Sequence, residues 1–148
     1  MTYRKDLTRR VILEAAQRLM TENGVRATTL EQIASTAYVS VGSIYNHFAG
    51  KDALAAYFVE RGIDALEVLM AEAHRREHSA ERLRAAGDAY LQFAIEHPIA
   101  ARFATIRLLD PDPAPEFDEI NAVCARRMQP IVRAIAADVA AAIEAGEM

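Results

Sequence analysis

The chain has 148 residues, 52% of them apolar, which is enough to bury a core in one or two small domains. Its single cysteine, Cys124, excludes an internal disulfide and cannot by itself build a zinc site. The net charge of −4 argues against nucleic acid only until its distribution is read: residues 1–52 carry seven basic and five acidic groups, and the remainder carries ten and sixteen. A mildly basic head (+2) on an acidic body (−6) fits a DNA-reading end attached to a part that does not touch DNA.

The N-terminal MTYRKDLTRR is charged and has no apolar stretch of the signal-peptide kind, and no apolar run reaches membrane-spanning length. A soluble, cytoplasmic protein is expected. No segment alternates apolar and polar residues long enough to make a sheet, so the composition favours an all-α fold.

The first helix is predicted over Leu7 to Asn23, because Val11, Ile12, Ala15, Ala16, Leu19 and Met20 fall on one stripe. Gly24 follows where a left-handed residue ends a helix. Thr28 is expected to cap the second helix, with Glu31 completing a capping box and Leu30, Ile33, Ala34 and Ala37 facing inward. Tyr38-Val39 forms the turn, Ser40 caps the third helix, and that helix runs from Val41 to Phe48. Ile44 and Phe48, four apart, anchor it. Val41, Gly42, Ser43, Tyr45, Asn46 and His47 are left on its surface.

After Gly50 a long fourth helix is predicted from Lys51 to about Glu77, with Leu54, Phe58, Ile63, Leu66 and Met70 as its apolar positions. A fifth helix capped by Ser79 runs to His97, and a sixth starts at Pro98, a residue well tolerated at a first helical position. It carries Phe103, Ile106 and Leu109. The prolines of DPDPAPE, residues 110–116, make a loop, and a last helix extends from Phe117 toward Ala145 with Pro130 as a kink.

Two short helices, a tight turn and an outward polar and aromatic surface are what a protein needs to lay one helix in the major groove. The sequence here resembles the TetR family of bacterial one-component transcription regulators. The match runs over roughly residues 7–60, through the helix ending in ENG, then TTLEQIA, VSVGSIYNHF and GKDAL. The joint spacing of Tyr45, His47, Phe48 and Lys51 is far more specific than a generic helix-turn-helix pattern.

The resemblance implies an all-α fold: an N-terminal three-helix, homeodomain-like helix-turn-helix domain over 1–50, then a helical effector-binding and dimerisation domain over 51–148. It implies that Thr29 meets a phosphate through its backbone N–H and hydroxyl, aided by the helix dipole. Val41, Gly42 and Ser43 face base edges beside Ser40. Tyr45, His47 and Lys51 clamp phosphates, contacts that set register without encoding sequence.

No Arg, Lys or Gln lies in the third helix, so the usual bidentate reader of guanine is absent. Asn46 is placed to read adenine and Val41 to pack on a thymine methyl, with DNA shape and an N-terminal arm carrying Arg4 and Lys5 adding the rest. In the second domain, Met70, Tyr90, Phe93, Phe103, Arg107, Phe117 and Cys124 are candidates for an effector cavity. Core packing is the plainer reading of each apolar one, and a surface charge the plainer reading of Arg107.

The expected activity is that of a ligand-responsive repressor: a homodimer on double-stranded operator DNA, released by a small apolar or amphipathic effector, with helix four as transmitter and no cofactor. Activation in place of repression stays open. So does completeness, since family members continue past an AGEM-like point with two further dimer-forming helices. The sharpest competing signal is H-x-x-E-H at His74–His78, an inverted zinc-protease motif, for which a solvated helix end is the bland alternative. The other competitors are a helix-turn-helix serving protein association and a DNA binder with no ligand.

Overall fold

The computed structural model describes residues 2–109 and 117–148, with side chains up to residue 105 and again from 117. The loop expected over 110–116 and the roles expected of Ile106, Arg107 and Leu109 lie outside what is described. The regular structure among the described residues is helical throughout: α1 (Thr2–Asn23), α2 (Leu30–Ala37), α3 (Val41–Tyr45), α4 (Lys51–Ala73), α5 (Ser79–Glu96), α6 (Pro98–Leu109) and α7 (Asp118–Glu144). They group into two compact units, residues 1–58 and 59–148, whose boundary falls inside α4.

In the first unit α1, α2 and α3 pack pairwise around Ile12, Ala16, Met20, Ile33, Ile44 and Leu54, all but inaccessible to water. The apolar stripe of α1 lies where its spacing put it. The helix nevertheless begins at Thr2, five residues earlier than the stripe predicts. Its exposed first turns need no burial, and Thr8 Oγ1 donates back to the Arg4 carbonyl at 3.0 Å within that stretch. Arg4 and Lys5 are therefore helical residues and not a trailing arm.

Gly24 ends α1 with φ of +83°, and its N–H reaches the Met20 carbonyl at 2.9 Å. The second helix is capped one residue later than expected. Thr28 is fully buried and donates its hydroxyl to the Gly24 carbonyl at 2.7 Å. Thr29 is the cap, accepting from Gln32 N–H at 3.2 Å while Gln32 Oε1 accepts from Thr29 N–H at 3.0 Å. Both T-x-x-E and T-x-x-Q satisfy the capping pattern. Burial of Thr28 under the α1–α2 connection decides between them.

In the second unit α5 packs on α6 and α7, and α6 on α7. Leu66, Met70, Ala86, Phe93, Ala100, Ala104, Met128 and Ile131 form one buried cluster. The helix expected to reach Glu77 stops at Ala73, and His78 takes the N-cap position expected of Ser79. Arg82 closes that short connection. Its guanidinium donates to the carbonyls of Arg76 (3.2 Å) and Glu77 (2.9 Å), to Ser79 Oγ (2.8 Å) and to Asp138 on α7 (2.7 Å).

Arg127 makes a second link, from α7 to Asp64 (2.6 Å) and Glu67 (2.9 Å) on α4. The Glu67 hydrogen bond leads in raising its pKa above the ordinary arginine value, with burial opposing. Because both carboxylates are largely exposed, the link adds on the order of 1 kcal/mol or less.

Gly62 marks a tight helix approach in this unit. A β-carbon there would collide with the Ala100 methyl and stand 3.1 Å from His97 Cβ. Gly62→Ala is expected to cost about 1–2 kcal/mol, the overpacking penalty outweighing the gain in helix propensity. Asp138→Ala should cost about 2–3 kcal/mol by leaving Arg82 without its buried carboxylate partner. Urea unfolding monitored by circular dichroism checks both; a neutral Gly62→Ala would mean that the two helices separate freely.

Candidate nucleic-acid interface

The connection from α2 to α3 is closed by backbone bonds. Tyr38 adopts φ 57° and ψ 41°, and Val39 N–H returns to the Ala34 carbonyl at 3.0 Å, the six-to-one bond of a Schellman turn. Ser40 then caps α3, its Oγ accepting from Ser43 N–H at 3.1 Å and lying 3.0 Å from the Ser43 hydroxyl. The regular part of α3 ends at Tyr45, three residues short of the predicted Phe48. The helix closes on one shared acceptor, the Ile44 carbonyl, reached at 2.9 Å by His47 N–H in a tighter three-residue bond and by Phe48 N–H in an ordinary four-residue one.

Ile44 and Phe48 are buried, as their spacing requires, and they fix which side of α3 is turned outward. Phe48 is held further by the Arg9 guanidinium, 4.5 Å above its ring and 5.5 Å from that of Tyr57. Arg9 carried no signal of this in the sequence, because its aromatic partners are 39 and 48 positions away.

The outward residues are those named from the sequence. Ser40, Gly42, Tyr45 and Asn46 are exposed; Val41, Ser43 and His47 are half-buried. Nothing inside the protein requires Gly42 to be glycine, since a β-carbon there would meet only Ser40 Oγ, at an ordinary 3.7 Å. Thr29 is exposed at the start of α2, where its hydroxyl still has a proton to give although its N–H is taken by Gln32. Lys51 opens α4 and donates from Nζ to the Arg26 carbonyl at 3.1 Å, leaving two ammonium protons for other acceptors.

One exposed aromatic had no place among the sequence candidates. Tyr38, named there only as a turn residue, is 96% exposed. Its conformation, which alone makes it unusual, cannot be seen in a residue string.

In the second unit the effector candidates are packed. Met70 and Phe93 belong to the buried cluster, and Tyr90 packs against it with its hydroxyl 3.0 Å from Thr105 Oγ1. Phe103 and Phe117 meet edge to face at 5.6 Å, and Cys124 is fully buried on α7. The H-x-x-E-H residues do not share a helix face, because α4 ends before His74 and His78 begins the next element. His74 places Nδ1 2.7 Å from the Met70 carbonyl and Nε2 3.1 Å from Asp138, whereas His78 lies 3.7 Å from Glu147. Each imidazole has its own carboxylate neighbour.

Residues 12–58 match the family described as bacterial regulatory proteins, tetR family. The uncharacterized HTH-type transcriptional regulator YobS of Bacillus subtilis is 29% identical over 110 residues, 74% of this chain and 58% of that protein. The HTH-type transcriptional regulator SAR2658 of Staphylococcus aureus is 32% identical over 97 residues, 64% of this chain and 52% of its own. Over residues 12–58 the chain matches the N-terminal, helix-turn-helix part of the TetR family.

Likeness of fold to solved structures extends over more than nine-tenths of the chain. The ketosteroid transcriptional regulator KstR2 of Mycobacterium tuberculosis superposes with a TM-score of 0.72 at 27% identity, over 91% of this chain and 67% of that one. AibR, solved with isovaleryl coenzyme A and operator DNA, gives 0.74 at 20% identity over 95% and 75%, a likeness of fold. The chain spans between half and three-fifths of the length of these curated relatives. Both of these relatives are named as transcriptional regulators. Added zinc at micromolar concentration should accordingly leave the thermal midpoint unchanged in a melting scan; a rise of several degrees would revive the metal reading of His74 and His78.

Proposed function

We propose that this protein is a TetR-family, sequence-specific DNA-binding regulator of transcription, acting as a ligand-responsive repressor. The observation that carries the proposal is the outward surface of α3. Ile44 and Phe48 are buried beneath it, while Tyr45, Asn46 and the small Gly42 and Ser43 are presented at the surface. A glycine inside so short a helix costs on the order of 1 kcal/mol, and no packing need within the protein offsets it. Close approach of a DNA edge would.

In this reading residues 1–50 are the DNA-binding domain. Ser40, Val41, Gly42, Ser43 and Asn46 address the groove, and Thr29, Tyr45, His47 and Lys51 hold phosphates on either side. With no Arg, Lys or Gln on α3, base discrimination comes from apolar contact, Ser43, Asn46 and DNA shape. One such helix addresses a half-site, so a homodimer with recognition helices ~34–36 Å apart is the working form.

Residues 51–148 form the effector-binding and dimerisation domain. The apolar character of Met70, Phe93, Phe103, Phe117 and Cys124, with Tyr90 and Arg107 as polar members, suits an apolar or amphipathic small molecule. That AibR was solved with an acyl coenzyme A and that KstR2 is named for ketosteroids supports this choice of ligand class. The effector acts by binding better to the conformation that does not fit the operator. No helix among the described residues is long and apolar enough to cross a membrane.

The test is direct. A duplex enriched by the wild-type chain from a random-sequence library should be bound with a strong salt dependence. Tyr45→Ala and Lys51→Ala should each weaken binding about tenfold with helicity unchanged. Lys51→Ala should also reduce the slope of log affinity against log salt by about one ion. Should no duplex be enriched above non-specific binding, the regulator reading fails.

A further inference from the structure

Tyr38 is the one residue other than glycine with a positive φ among the described residues. The turn between α2 and α3 requires it: the bonds from Tyr38 N–H to the Ala34 and Ser35 carbonyls, and from Val39 N–H to Ala34, close only with a left-handed residue at this point. Glycine meets that requirement without strain and asparagine nearly so. A bulky side chain does not, because its β-carbon crowds the backbone. These bonds are made by the backbone, so the phenol adds nothing to them.

Nor does the ring gain anything by burial, since it is 96% exposed. Strain held at a position where the side chain serves no internal purpose points outward, to something the side chain touches when the protein works. Its surroundings in the chain indicate what that is. Tyr38 stands two residues before the Ser40 cap of α3, at the opposite end of that helix from Tyr45, a second exposed phenol. A tyrosine hydroxyl donates readily to phosphate oxygen, and it does so without carrying charge.

We propose that Tyr38 is a further DNA contact, its phenol hydroxyl donating to a backbone phosphate at the edge of the groove that receives α3. This rests on the regulator reading above. Tyr38 would mark the leading end of the helix and Tyr45 the trailing end, so that the pair sets the helix's position along the groove.

Three forms of the full chain decide it, titrated against the duplex enriched by wild type and melted in parallel. Tyr38→Gly removes both strain and contact: the thermal midpoint should rise by about 2–4 °C while DNA affinity falls about five- to tenfold. Tyr38→Phe keeps the backbone and the ring: its midpoint should stay put, with a similar loss of affinity. Both variants should keep the wild-type salt slope, unlike Lys51→Ala, because a neutral hydroxyl displaces no counterion. Wild-type affinity in either variant overturns the proposal, and so does a Tyr38→Gly variant that loses stability together with binding. If the wild-type chain enriches no duplex, the regulator reading has failed, and this proposal with it; that control separates the two failures.

Discussion

A helix of five residues has no stability of its own, because the entropy of fixing its first turn is barely repaid by the few bonds that follow. α3 keeps its shape through what lies beneath and before it. Ile44 and Phe48 are inserted into the core of α1 and α2, Ser40 supplies the first hydrogen bond, and the left-handed Tyr38 aims the chain. The outward surface of α3 is the remainder of this arrangement. Any side chain that does not hold the helix down is free to be chosen for what it meets outside, and five of the first six residues from Val41 are of that kind.

The same economy explains the cation–π stack of Arg9. A guanidinium laid over Phe48 and next to Tyr57 ties the first helix to the chain on either side of Gly50 without needing a carboxylate partner. Lys51 reaches back to the Arg26 carbonyl and secures the same corner from the other side. In the second unit a single carboxylate has the equivalent part. Asp138 is set between Arg82 and His74, and Arg82 in turn satisfies two carbonyls of the α4–α5 connection, so the end of one helix, the start of the next and α7 are held through a few polar atoms.

Much of this was legible in the sequence because it depends on local periodicity and on residue types with narrow uses. The stripe of α1, the anchors Ile44 and Phe48, Gly24 and Ser40 all fall where spacing put them. The errors share a physical origin. Thr28 and Thr29 satisfy the same capping rule, and only tertiary burial of one makes the other the cap. α3 is three residues shorter than its spacing predicts, because a 3.6-residue period cannot distinguish a continuing helix from the turn over Asn46–Phe48, where His47 N–H takes the tighter bond to the Ile44 carbonyl. The H-x-x-E-H string assumed a continuous helix that ends before its first histidine. Arg9 and Asp138 were missed altogether, their partners being dozens of positions away. Tyr38 was placed correctly in a turn, but its dihedral angle, which carries the inference, is not written in residue identity.

Cys124, fully buried on α7 and the chain's single thiol, gives the second unit a property of practical use. A sulfhydryl reagent can reach it only when the helices around it come apart, so the rate of labelling reports how often that unit opens in the native state. A molecule that binds the closed form suppresses opening by mass action and slows the reaction accordingly. The protein thus carries its own unmodified reporter: small molecules that occupy the helical unit can be recognised by protection of one sulfur atom, before any nucleic acid is added.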